Sequence, residues 1–387
     1  MRIALLAPLP PVQSGIADYA GAWRAAMAAR GVEVVVPPQD ADGHWPAAHD
    51  GFWKQVDLVH AELGGGRARE FLHLEQLQAR PTGPRLTATV HDPERLVWRN
   101  PAPSALGRRI GSWPRPLPQL HALATDRATL RRERRLARGL SALVTLTGTG
   151  ADQLARRMRV ERSRVHCIAH GNPQVTPVAL PAGDTLQLLY FGFIYPGKGI
   201  EMLLRALAKV VAARPRAAVR LTLAGGTAPE LTFAGGGDYL AQLQALASGL
   251  GIGDRLRWEL DLPAARIVDC IQAHHVMVLP YRQSWRIRLL GRMCGTSGAL
   301  SWAHACGRGV LATDTRAFAE ELSQGNGQVV PQDDVQAMAA AITRLIDEPT
   351  RVSRWAGQAA ALGEQRRWDQ VAGHFAGLFN HVLEVHR

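Results

Sequence analysis

Residues 188–204 read LLYFGFIYPGKGIEMLL, and their reading decides the fold. Leu188, Leu189, Tyr190 and Phe191 form a short apolar run of the kind buried in a sheet. A loop follows with Gly192, Pro196, Gly197, Lys198 and Gly199, and from Ile200 the apolar residues return at helical spacing. Strand, glycine-rich turn with a lysine, then helix is an arrangement that holds phosphate: backbone N–H groups and the helix dipole face the anion, and the lysine adds a compact charge. The chain has three lysines, Lys54, Lys198 and Lys209, against 42 arginines (45 basic residues less 3). A lysine between two glycines, where arginine is the default cation, suggests a tight place.

Three readings of this stretch compete. Gly192 to Lys198 satisfies the first seven positions of the ATP-loop pattern GxxxxGK[ST], but Gly199 stands where the Mg²⁺-binding hydroxyl belongs. The second is a nucleotide-sugar cradle, and the third a plain strand-to-helix turn with an exposed lysine.

The 387 residues suggest two or three domains, and 47% hydrophobic with 20% charged residues fits a globular α/β protein. No apolar run approaches the ~18 residues of a membrane span. MRIALLAPLPP reads as a first strand rather than a signal peptide. The four scattered cysteines form no CxxC pair, so a reduced, cytoplasmic protein without structural disulfides is expected. The net charge of +12 calls for an anionic partner. Residues 127–138, RATLRRERRLAR, place six arginines on a predicted helix. Residues 99–118 mix Arg99, Arg108, Arg109 and Arg115 with Trp98, Ile110, Trp113 and Leu117. Basic residues beside tryptophans suit an anionic membrane surface, and a solvated helix face with a proline-rich loop is the plainer alternative. No nucleic-acid-binding signature is present.

Strands and helices alternate throughout. Strands are expected at 3–7, 32–36, 57–62, 86–90, 143–146 and 165–168, with helices at 17–30, 68–79 and 150–159. Residues 171–185, GNPQVTPVALPAGDT, hold three prolines and act as a linker. The pattern then restarts, with strands at 186–191, 219–224, 256–258, 276–279 and 310–312 and helices at 200–213, 238–249, 264–273 and 298–306. Residues 351–387 read as helical, with Phe375, Leu378, Phe379, Val382 and Leu383 as an apolar stripe. Such alternation implies parallel sheets with ligands beyond the carboxyl ends of the strands.

In this order the motifs resemble those of GT-B glycosyltransferases, the family 4 (group 1) kind most closely. The resemblance rests on the loop Pro8–Tyr19 with SGIADY, TVHDP at 89–93, FGFIYPGKGIEMLLRAL at 191–207, LAGG at 223–226, LPY at 279–281 and SGALSWAHACGRGVLATD at 297–314. It implies two Rossmann-like domains facing across a cleft: residues 1–172 for the acceptor, a linker at 173–185, residues 186–365 for the nucleotide sugar, and a C-terminal helix at 366–387 packing back on the N-terminal domain. It further implies a metal-independent, retaining transfer of a sugar from a nucleotide-diphosphate sugar, which serves as co-substrate with no resident cofactor, to a glycan or lipid-linked acceptor. Catalytic roles fall on His91 and Lys198. Donor contacts fall on Gly192, Gly197, Gly199, Arg282, Arg288, Thr296, Ser297, Gly298 and Ala299, and acceptor contacts on Ser14, Gly15 and Asp18. A cytoplasmic protein, peripheral on the inner membrane face, is expected.

Two departures stand out. Phe193 replaces the family's arginine after FG, and its glutamate pair (Glu-x7-Glu) falls on Cys294 and Trp302, which cannot accept hydroxyl hydrogen bonds in the same way. A catalytically silent glycan-binding or partner-supporting protein is therefore the alternative. Asp40-Ala41-Asp42 matches a metal-binding DxD of another glycosyltransferase fold but lies in a loop of different architecture, and no metal site is assigned.

Overall fold

The structure, a computed structural model, describes residues 1–40, 43–98, 104–111, 113–114, 116–226, 239–283 and 292–385. Arg286 and Arg288, Ala41 and Asp42 of the DxD match, and Arg99 and Arg115 lie outside them. The chain divides into two compact units: residues 1–171, 289–296 and 368–387 form the first, and residues 172–288 and 297–367 the second.

The first unit contains strands β1 (Arg2–Leu6), β2 (Glu33–Val35), β3 (Leu58–Leu63), β4 (Arg85–Val90), β5 (Ala142–Thr145) and β6 (Val165–Cys167). All pair in parallel in the order β2-β1-β3-β4-β5-β6. Helices α1 (Gly15–Ala29), α2 (Ala68–Gln78), α3 (Ala105–Gly111), α4 (Leu117–Gly139) and α5 (Gly148–Met158) connect them. Crossing from β2 back over β1 to β3 makes a switch point between β1 and β3, where such sheets open a crevice. Helix α1 starts at this point because Ser14, extended at φ −152°, accepts a hydrogen bond from the Ala17 amide at 3.1 Å.

In the second unit, β7 (Leu186–Phe191), β8 (Val219–Gly225), β9 (Leu256–Leu260), β10 (Val276–Leu279), β11 (Gly309–Thr313) and β12 (Gly327–Val330) pair in the order β12-β11-β10-β7-β8-β9. The helices are α6 (Ile200–Ala213), α7 (Tyr239–Gly249), α8 (Ile267–Gln272), α9 (Gly298–Ala305), α10 (Phe318–Glu321), α11 (Val335–Asp347) and α12 (Pro349–Gln365). Its switch point lies between β7 and β10. Helix α6 buries Ile200, Leu203, Leu204, Leu207 and Val210, a single helical face, against the sheet.

The final helix, α13 (Trp368–Glu384), returns to the first unit. Phe375, Phe379 and Val382 join Trp23 and Met27 of α1 in one buried layer on the sheet. The chain's end is two helices, α12 and α13. The break at Arg366 and Arg367 arises because the Asn172 amide takes the Arg366 carbonyl at 2.7 Å, diverting it from the helical ladder. Several further elements escape the sequence pattern, α10 and α11 among them. Helix α3 is capped by Ser104, α4 begins at Leu117, ten residues before its arginine run, and β12 is only four residues long. Asp334 caps α11 through the Ala337 amide at 2.8 Å.

Candidate functional site

Lys198 follows β7 and Tyr281 follows β10, so both project at the switch point of the second unit. The backbone stitches the two loops together: the Arg282 amide donates to the Gly197 carbonyl at 3.0 Å. Their approach requires glycine at 199. This residue has φ +70°, and a Cβ there would stand 1.8 Å from the Pro280 carbonyl oxygen. The Lys198 ammonium lies 3.9 Å from the Tyr281 ring centroid and 5.1 Å from that of Tyr195. Burial lowers its pKa to about 8; Arg316 adds to this, while Tyr195 opposes it. The Arg316 guanidinium sits 5.6 Å from the Tyr281 ring centroid, so one ring carries both cations.

Two helix N-termini complete the cluster. Neither α6, preceded by Gly199, nor α9, preceded by Ser297, has a side-chain cap. The Ser297 hydroxyl lies instead 3.1 Å from that of Tyr281. Uncapped N-termini beside a lysine and an arginine can bind a diphosphate through amides and charge together. Gly192, Gly197, Gly199, Ser297, Gly298 and Ala299 of the expected donor set lie in this unit around β7, α6 and α9.

Other expected donor residues are placed differently. Arg282 is ion-paired with Asp333 at 2.5 Å, so its charge is already compensated, and Arg316 is the arginine on the Lys198 side. Arg316 went unnoticed in the sequence because nothing local marks it; only the pairing of β11 beside β10 carries the loop after Thr313 toward Tyr281. Thr296 groups with the first unit. So does Cys294, whose amide donates to Glu94 at 3.2 Å and whose carbonyl accepts from the Thr147 hydroxyl at 3.2 Å. Trp302 is a half-buried residue packed on the core of the second unit. Neither position supplies a carboxylate.

A second cluster occupies the first unit at the carboxyl ends of its strands. The oxygen of Ser14 is engaged in capping α1, and a Cβ added at Gly15 would meet no other atom within 4 Å, so that position is open. Asp18, in the first turn of α1, is exposed, and partial desolvation raises its pKa. His91 directly follows β4. Its amide donates to the Leu63 carbonyl at 2.8 Å, and its Nε2 lies 2.8 Å from the Glu62 carboxylate. Asp92 accepts the Gly65 amide at 2.8 Å, which ties the loop after β4 to the loop after β3. Tyr19 packs edge-on to His91 at 4.7 Å and to His170 and Trp368 at 5.1 and 5.0 Å. Beneath this loop, buried Glu133 of α4 pairs with Arg95 and accepts the Leu96 and Val97 amides. Among the described residues, no group of three His, Cys, Asp or Glu side chains could hold a metal ion, and no helix is long and apolar enough to cross a membrane.

Residues 185–348, the greater part of the second unit, match the family model of group 1 glycosyl transferases. The D-inositol 3-phosphate glycosyltransferase of Thermobispora bispora is 30% identical over 216 residues, covering 54% of this chain and 46% of that protein. That of Streptomyces avermitilis is 28% identical over 263 residues, covering 63% and 53%. The chain therefore spans about half the length of the curated relatives it matches. Among solved structures, sucrose-phosphate synthase from Thermosynechococcus elongatus superposes with a TM-score of 0.72 at 18% identity over 100% of both chains. Anabaena Alr3699/HepE, in complex with UDP-glucose, gives 0.65 at 15% over 98% of this chain and 100% of that one. The fold is GT-B, as the motif order led us to expect, and the second unit is similar in sequence to the group 1 glycosyl transferases.

Proposed function

We propose that this relative of the group 1 glycosyl transferases moves a sugar from a nucleotide-diphosphate sugar to a glycan or lipid-linked acceptor, with retention of anomeric configuration and no resident metal. The observation that carries the reading is Lys198, seated on Tyr281 between two uncapped helix N-termini within the stretch that matches the family model. In this reading the diphosphate lies against the α6 and α9 amides. Lys198 and Arg316 balance the charge that develops as the nucleoside diphosphate departs, work done elsewhere by a divalent cation. The leaving phosphate takes up the proton of the attacking hydroxyl. A uridine nucleotide is the natural first probe, since Anabaena Alr3699/HepE is described with UDP and UDP-glucose. The acceptor occupies the first unit, between the Ser14–Asp18 turn and His91.

The membrane reading draws on α3 and the start of α4. Leu106, Trp113, Leu117, Leu120 and Leu123 are exposed there, interleaved with Arg108 and Arg109. Apolar side chains set among arginines suit insertion at an anionic lipid surface, which would bring a lipid-linked acceptor to the protein on the cytoplasmic face.

The test is turnover of a panel of UDP-, GDP- and dTDP-sugars, with and without EDTA. Donor-dependent hydrolysis or transfer that survives EDTA and is lost in Lys198→Ala is the expected result; no turnover and no nucleotide binding by calorimetry overturns the reading. Sedimentation with phosphatidylglycerol vesicles, weakened in Leu120→Ser/Leu123→Ser and by salt, tests the membrane part.

A further inference from the structure

Central strands of a parallel sheet, covered on both faces, are ordinarily near-continuous runs of apolar residues. Here β3 and β4 break that rule on one face. His60 lies opposite Thr87 and Glu62 opposite Thr89, and none of the four is accessible to solvent. They face the layer built from α1 and α13. Trp23 stacks on His60 at 5.1 Å, and Phe375 and Phe379 flank it at 5.6 and 5.2 Å. A polar ladder in such surroundings costs stability unless its groups satisfy one another, so its presence points to a use.

The hydrogen bonds assign its protons. Thr87 donates its one hydroxyl proton to the Val59 carbonyl at 3.2 Å. It can therefore only accept from His60 Nδ1, 2.9 Å away, and this sets His60 as the Nδ1–H tautomer when neutral. His60 Nε2 then lies 2.9 Å from the Thr89 hydroxyl and 3.5 Å from Glu62 Oε1. The other carboxylate oxygen of Glu62 lies 2.8 Å from His91 Nε2, the ladder's outlet toward the strand ends. Burial pushes the Glu62 carboxyl up, but its contacts with His91 and, when that ring carries both protons, with His60 outweigh it and hold its pKa below the usual value, so it is an ionised acceptor. The remaining groups around the pair are the Tyr19 hydroxyl on α1 and Asp92, whose carboxylate is engaged by the Gly65 amide.

We propose that Glu62 is a positioning residue: it takes the Nε2–H of His91 and so leaves His91 Nδ1 as a hydrogen-bond acceptor for a hydroxyl of the bound sugar or acceptor. The inference rests on the transferase reading above for the identity of that hydroxyl, but the tautomer does not. The sequence hides the pairing, because Glu62 and His91 are 29 residues apart and meet only through the β3–β4 register.

The first experiment is ¹⁵N NMR of the imidazoles in the full chain at neutral pH, with His91 identified by its loss in His91→Gln. His91 should carry its proton on Nε2 in the wild type and in Glu62→Asp. In Glu62→Gln the amide can donate instead, and the preference should be lost or reversed. The second is turnover. Glu62→Gln should lower kcat about tenfold to a hundredfold, with the nucleotide-sugar KM within about twofold, as for a hydrogen bond to a sugar or acceptor hydroxyl that is made chiefly in the transition state. In the His91→Gln background the same change should cost nothing further. A wild-type His91 protonated on Nδ1, or a Glu62→Gln loss undiminished in the His91→Gln background, overturns the proposal. If Glu62→Gln does not fold, the wild-type and Glu62→Asp spectra decide. If no nucleotide sugar is turned over, the transferase reading fails while the tautomer measurement still decides the role of Glu62.

Discussion

The lysine of the second unit makes a prediction with two opposite signs. Burial lowers the Lys198 pKa to about 8, so in the free protein it is half neutral at that pH. A diphosphate needs it charged. If binding captures only the protonated form, the apparent Kd for UDP scales as 1 + 10^(pH − 8), a factor of about 1.1 at pH 7 and about 11 at pH 9, so affinity falls roughly tenfold or about 1.4 kcal/mol. UDP itself is fully ionised across this range, since the last phosphate pKa is about 6. The free protein behaves oppositely. Between pH 8 and the ordinary lysine value the unfolded chain holds a proton that the folded chain has released, so stability relative to Lys198→Met rises with pH. Calorimetry of UDP at pH 7 and 9, in two buffers of different ionisation enthalpy, should show the weakening and about one proton taken up at pH 9. Lys198→Arg, charged throughout, should flatten the profile. A wild-type Kd equal within twofold at the two pH values would refute the reasoning, as would an unchanged profile in Lys198→Arg.

Gly199→Ala should raise the UDP Kd at least about tenfold, because left-handed strain of about 1–2 kcal/mol is joined by a displaced Pro280 carbonyl; calorimetry beside a thermal melt separates binding from folding. Glu133→Ala leaves buried Arg95 only its pair with Asp126 and strips the Leu96 and Val97 amides of their acceptor, so it should cost about 3–5 kcal/mol in urea unfolding of the first unit, and Glu133→Gln, which keeps an acceptor for the amides, should cost less. Phe375→Ala, removing a fully buried ring that touches Trp23, His60 and Phe379, should cost about 3–5 kcal/mol, and amide exchange should quicken in α1 as well as α13.

Much of the architecture was legible in the chain because it follows from local rules. Apolar runs of strand length alternating with helical periodicity require parallel sheets, and the proline-rich stretch 171–185 separates the two sets. The glycine turn at Gly192–Gly199 was legible for the same reason: Gly192, Gly197 and Gly199 all take positive φ, a demand that is local in sequence. The caps that Ser14 and Asp334 provide are one-turn effects of the same local kind, though the family resemblance places Ser14 among the acceptor contacts. The physical cause of the break between α12 and α13 was not legible, since it is a hydrogen bond from Asn172, nearly two hundred residues earlier.

What the sequence could not decide is which strands lie side by side. That order, set by how all the apolar faces of a unit are buried at once, puts Tyr281 beneath Lys198, brings Arg316 beside them while Asp333 claims Arg282, and lays β3 against β4 so that Glu62 reaches His91. The residue types of a site follow from its chemistry and can be read one by one, but their meeting is a property of register and strand order, which only the packed core selects.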